Sequence, residues 1–253
     1  MDNTNQSNSK SFDSLFEKIP FFKQYPHMMP WVGADYQGTS HKKILLIAES
    51  HYLPKTSIVH QNTSNWYSGT SNDLSPEELG WTNTREIIGS GENQNWDLGE
   101  SPGHRIYLNI EKAMLDTGFD PVDKSNMFKF CGYYNFFLRP ANEGDSIIFN
   151  GDDEKVAMDT LFELLKILNP DMVCVLSHKA WKICENWVED IQQKDGFRLY
   201  DRDDKPYIAD FFPHPISQWW NMASLKYSFL EESKAQTGRE KFIRFLQRGM
   251  VSA

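Results

Sequence analysis

The stretch Ile44-Leu45-Leu46-Ile47-Ala48, running into Glu49-Ser50-His51-Tyr52, decides how the rest of the chain is read. Five apolar residues with no polar partner between them describe a strand buried on both faces, and such strands belong to parallel sheets covered by helices. The same grammar recurs three times. Phe128 to Tyr134 runs into Asn135, Met172 to Leu176 into Ser177-His178, and Tyr207 to Phe212 into Pro213-His214-Pro215. In open α/β sheets ligands bind outside the carboxyl ends of the strands, so the polar residues that close these runs predict one functional edge.

Helical patterns lie between the runs. Arg105 to Thr117 reads as a helix stopped by Gly118. Asp153 to Leu168 has an acidic start and an apolar face through Val156, Leu161, Leu164, Leu165 and Leu168, and it stops before Pro170. Lys179 to Ile191 places Trp181, Cys184, Trp187, Val188 and Ile191 near a 3.6 period, and Arg239 to Arg248 closes the chain as an amphipathic helix. Strands alternating with helices imply right-handed βαβ units.

From Leu53 to Pro102 the sequence is rich in Ser, Asn, Gly and Trp with little periodicity. This predicts a substrate-facing excursion with one short helix near Ser75 to Leu79, where Ser75-Pro76-Glu77-Glu78 supplies an N-cap, an N1 proline and an acidic first turn. Residues 1–11 are Asn/Ser-rich and read as a disordered tail. Phe12 to Val32 reads as an irregular aromatic arm over the core, and residues 12–253 as one domain.

Composition narrows the functional classes. The chain has 253 residues, 40% of them hydrophobic and 14% aromatic, enough for a sizeable core. A formal charge of -9 argues against a protein that coats nucleic acid, because non-specific binding comes from Lys and Arg releasing counterions. Cys131, Cys174 and Cys184 read as reduced, mostly buried thiols. No run resembles a signal peptide or a membrane span, so the expectation is a cytoplasmic monomer without a membrane partner, a metal or a cofactor.

The residues at the strand ends resemble the uracil-DNA glycosylase superfamily. Ala48-Glu49-Ser50-His51-Tyr52, Asn135 and His214-Pro215-Ile216-Ser217 stand in the order of that family's three site motifs. The resemblance implies a three-layer α/β/α sandwich with a central four-stranded parallel sheet. Glu49 takes the glutamate position of a GEAPG-type first motif, and Ser50 stands where a GQDPY-type motif has its water-activating aspartate. Tyr52 matches the tyrosine that excludes the methyl group of thymine, while His51 replaces a proline. Asn135 falls where an asparagine reads the base edge, and His214 where a histidine stabilises the departing base, with Ile216 in place of a serine and Ser217 following. Three cysteines cannot supply the four thiolates of the family's iron–sulfur branches.

The resemblance implies catalytic roles for Glu49, Ser50 and His214, and base or substrate contacts for His51, Tyr52, Asn135, Ser217 and an aromatic ring such as Trp66. Trp219 and Trp220 fit a wedge inserted between base steps, and Lys55, Arg105 and Lys226 fit phosphate contacts. The implied reaction is hydrolysis of the N-glycosidic bond of a damaged or deaminated base, with DNA or a nucleotide-type ligand as partner. Three other readings stand beside it. A non-catalytic nucleic-acid- or nucleotide-binding member would keep the fold alone. A Ser50-dependent esterase lacks the G-x-S-x-G elbow. A metal site from Glu49, His51 and His214 has no diagnostic spacing.

Overall fold

The computed structural model describes residues 7–69, 73–89, 104–121, 126–190, 196–223 and 236–250. Seven strands form one sheet: β1 (Trp31–Val32), β2 (Ile44–Leu53), β3 (Cys131–Asn142), β4 (Met172–Val175), β5 (Val188–Asp190), β6 (Phe197–Tyr200) and β7 (Pro206–Phe211), in the order β1-β3-β2-β4-β7-β6-β5. The four strands expected from the apolar runs pair in parallel as β3-β2-β4-β7. The sheet is nevertheless mixed and seven-stranded rather than four-stranded, because β1 adds antiparallel to β3, and β6 and β5 add antiparallel beyond β7.

Alternation along the strands sorts the core into two faces. Leu45, Ile47, Val173 and Val175 pack with Leu161, Leu164, Leu165 and Leu168 of α7 (Gly151–Leu168) and with Trp181 of α8 (His178–Cys184). Ile44, Leu46, Met172 and Cys174 pack on the other face with Ile106 and Ile110 of α6 (His104–Leu115) and with Phe242, Phe245 and Leu246 of α10 (Gly238–Met250). Helices therefore cover both faces of the sheet. All three thiols are free and buried.

The excursion after β2 is more regular than its composition suggests. It holds α3 (Thr63–Gly69), α4 (Pro76–Thr82) and α5 (Thr84–Gly89). The start of α4 is the expected capping box, with Ser75 accepting from Glu78 N and Glu78 accepting from Ser75 N. The aromatic arm forms α1 (Asp13–Phe16) and α2 (Pro20–Gln24), with Phe16, Phe22 and Tyr25 fully buried.

Two expectations are corrected. The tail was read as disordered through Ser11, yet Asn8 bridges Gly33 and the backbone of Ser9 donates to Val32 O at 2.7 Å. Residues 1–6 lie outside the described residues. The helix expected from Lys179 to Ile191 ends at Cys184. Val188 turns extended (φ -121°, ψ 135°) into β5, so a β-branched residue takes the conformation it favours over the helical period.

A buried ion pair fastens the far half of β3. Arg139 donates to both carboxylate oxygens of Asp153, from Nε at 2.9 Å and from Nη2 at 2.7 Å, and also donates to the carbonyls of His60 and Ile148. Asp153 simultaneously accepts from Tyr67 Oη and from the backbone of Asn150, the N-cap of α7. Removing one partner of such a pair strands the other charge in the core. Asp153→Ala or Arg139→Ala is therefore expected to lower unfolding free energy by about 3–5 kcal/mol in a denaturant titration. A loss below about 1 kcal/mol in both would contradict this account of the network.

Candidate functional site

The site begins where two paired strands stop being the same length. β2 pairs with β3 along its whole course, through Leu53↔Asn142. Its pairing with β4 ends at Ile47↔Val175, followed by one last bond in which Leu176 N donates to Ile47 O at 2.7 Å. The chain leaves β2 for β3 on one side and later returns to β4 on the other. This is the switch point at which open sheets form a crevice. Of the residues at this end of β2, Glu49 and Tyr52 are half-buried, while Ser50 and His51 between them are buried. They are strand residues rather than the loop that their polarity suggested.

Glu49 is held by two serines. Ser177 Oγ donates to Oε2 at 2.8 Å, and Ser146 Oγ donates to Oε1. Ser177 also accepts from Ala180 N as the N-cap of α8, so one hydroxyl ends β4, starts a helix and orients the carboxylate. Ser146, on the loop after β3, ties the neighbouring connection to the same group. Ser177 is one of the polar residues that close the apolar runs, whereas Ser146 was not singled out from the sequence.

His214 reaches the same crevice from the loop after β7. Burial lowers its pKa, and the negative charge of Glu49 partly opposes that shift. The ring is therefore neutral near pH 7. Ile216 N donates to Nδ1 over a long 3.5 Å contact, an arrangement that leaves the ring proton on Nε2. Tyr52 is half-buried, and its phenol is pushed up first by burial and then by Glu49.

Asn135 lies inside β3 rather than after it, because Phe136, Phe137 and Leu138 carry the strand on to Asn142. It pairs in register with Ala48. Alternation sends Ala48 and Asn135 toward one face of the sheet and Glu49 toward the other, so the carboxylate and the amide flank β2 instead of pointing together. Ser50 and Asn135 are 7% and 4% exposed. Ser50 Oγ and Asn135 Nδ2 have no hydrogen-bond partner among the described residues, and neither has the buried Ser217 Oγ. Tyr52 also senses Tyr107 of α6 and Tyr133 of β3, whose rings lie 5.4 Å apart on the same face, an aromatic wall that the sequence did not reveal.

Several residues expected at the site lie elsewhere. Trp66 is fully buried, stacked on Tyr25 at 4.6 Å, with its indole N–H donated to Leu138 O, so it is core and not a ring offered to a ligand. Trp220 is 1% exposed and packs on Phe242. The exposed apolar residues of that loop are Ile216, Trp219 and Met222. His51 is buried and shares a 3.0 Å hydrogen bond with Thr84 Oγ1, a packing role. With His51 so engaged and Ser50 Oγ unpartnered, the serine–histidine pair that an esterase needs is not formed among the described residues. Lys55 and Arg105 are exposed, and Lys226 lies outside the described residues. Among the described residues no three His, Cys, Asp or Glu side chains are grouped to hold a metal ion, and no helix is long and apolar enough to cross a membrane. The sequence matches no family model and no curated protein.

Burial beside His27 lowers the His51 pKa from 6.5 to about 3. The unfolded chain therefore takes up a proton below about pH 6.5 that the folded protein refuses, and stability present above that pH is lost as pH falls. The thermal midpoint is expected to drop on going from about pH 7 to about pH 4.5, and His51→Gln is expected to flatten that dependence. An unchanged pH dependence in the variant would contradict a neutral, buried His51.

Proposed function

We propose that the protein is a hydrolase of the uracil-DNA glycosylase type, cleaving the N-glycosidic bond of a damaged or deaminated base in DNA or in a related nucleoside, and acting as a cytoplasmic monomer. The observation that carries this reading is that Glu49, held by Ser177 and Ser146, sits at the end of β4, beside which β7 leads directly into the loop that bears His214.

Breaking a glycosidic bond builds positive charge on the sugar and negative charge on the leaving base. A carboxylate oriented by two hydroxyls suits the first need, since Glu49 can direct water and offset the oxocarbenium character of the sugar. A neutral imidazole with its proton on Nε2 suits the second, because it donates to a base oxygen as charge develops there without first carrying charge itself. Tyr52, whose phenol senses Glu49, narrows the space beside the carboxylate; Asn135 faces the other side of β2 and is assigned no step with it. Trp219 and Met222 offer exposed apolar groups for the gap left by a flipped base.

A second reading has its own support. Both oxygens of Glu49 already accept hydroxyl protons that tie β2, α8 and the loop after β3 together, which is also what a purely structural carboxylate would do. A nucleotide-binding protein without turnover would keep this arrangement.

The two readings separate in one assay. The protein is mixed with uracil-containing single- and double-stranded oligonucleotides and with deoxyuridine, and free base is measured. The glycosylase reading predicts release, with Glu49→Gln and His214→Ala each slowing it at least about a hundredfold. Binding to the same oligonucleotides without any release would leave the binding reading standing.

A further inference from the structure

The loop that carries His214 has an unusual backbone. Pro213 and Pro215 flank the histidine, and neither has an N–H to donate, so carbonyl oxygens and packing of the rings carry much of the anchoring there. Those carbonyls are occupied. Lys241 Nζ of α10 donates to Phe211 O at 3.0 Å, and Asn109 Nδ2 of α6 donates to Pro215 O at 2.9 Å. The Pro213 ring sits so close to the start of α10 that a Cβ on Gly238 would come within 2.0 Å of its Cγ. His214 is thus bracketed on both sides by anchors from the two helices that cover one face of the sheet.

We propose that Asn109 and Lys241 are positioning residues that set the orientation of the His214 ring, Asn109 by holding the Pro215 carbonyl directly after it and Lys241 by holding the Phe211 carbonyl at the end of β7, three residues before it. Lys241 is itself fixed by a 2.6 Å ion pair with the buried Asp210 and lies over the rings of Phe211 and Phe212, so the anchor before His214 is rigid. Asn109 is half-buried and has no charge to leave stranded, which makes it the cleaner residue to change. With the Pro215 carbonyl released, the ring gains solvent and turns away from Glu49, the charged group it senses from β2; gain of solvent outweighs loss of Glu49 because burial is the larger influence on its proton affinity.

The inference rests on the glycosylase reading for its catalytic meaning but not for its test. The His214 ring is titrated by NMR in the full-length protein and in Asn109→Ala, Asn109→Asp and Asn109→Gln, and kcat and KM are measured on a uracil-containing oligonucleotide. Asn109→Ala, and Asn109→Asp with nearly the same shape but no donor, are expected to raise the His214 midpoint toward 6.5 and to lower kcat tenfold or more with KM within about twofold. Asn109→Gln, which keeps the donor, is expected to recover part of both. A folded Asn109→Ala protein with an unchanged His214 midpoint, or with an altered midpoint and unchanged kcat, overturns the proposal. If the wild-type protein releases no base, the glycosylase reading fails and the titration alone decides whether Asn109 positions the ring.

Discussion

The organisation of this protein depends on a difference in length between neighbouring strands. β4 has four residues, bounded by Asp171, whose carboxylate accepts from Lys43 N, and by Ser177, which caps the next helix. β2 has ten, so its second half is paired on one side only. In that half Glu49 and Tyr52 are half-buried, while Ser50, His51 and Leu53 are buried. Ser177 then reaches across the gap to Glu49, and the residue that stops β4 orients the carboxylate beside it.

Two buried ion pairs support the rim of this crevice. Arg139–Asp153 fastens β3 to α7 and to the carbonyls of two loops, and Lys241–Asp210 fastens β7 to α10. Each removes two charges from water, which is costly unless hydrogen bonds satisfy what remains. Both pairs meet that condition through backbone carbonyls of the segments that frame the site. Their common product is a fixed loop geometry. The carboxyl of Asp210 is nevertheless pushed up by burial, with Lys241 opposing the shift, so this second pair holds its charge against a large desolvation cost.

Much of this was legible in the residues, for identifiable reasons. The four parallel strands announce themselves as contiguous apolar runs, and α4, α6, α7 and α10 by caps and periodicity. β1 is two residues long, too short to carry a pattern, β6 lacks the contiguous apolar run of the equally short β4 because Arg198 interrupts it, and β5 was hidden because Trp187 and Val188 continue a helical period after the helix has ended. At the site, Glu49 and His214 were visible because each follows an apolar run directly. Asn135 was visible too but misplaced by its own chemistry, since asparagine normally closes a strand and here Phe136 to Leu138 continue it. Trp66 looked solvent-facing because its neighbours are polar. Only tertiary packing against Tyr25 and Leu138 draws it inward. Ser177 was legible as a polar residue closing an apolar run but not as a partner of Glu49, and Ser146 was not legible at all, because a serine that orients a carboxylate across the fold carries no local pattern.

The central claim is that Glu49 and His214 share one crevice at the switch between β2 and β4. The most direct measurement is the titration midpoint of the His214 ring in the wild-type protein and in Glu49→Gln. Because the carboxylate opposes the depression caused by burial, removing its charge should move the midpoint still further down. A midpoint that stays where it was, in a variant with an unchanged fold, would mean that the two side chains do not sense each other, and the shared site would not exist.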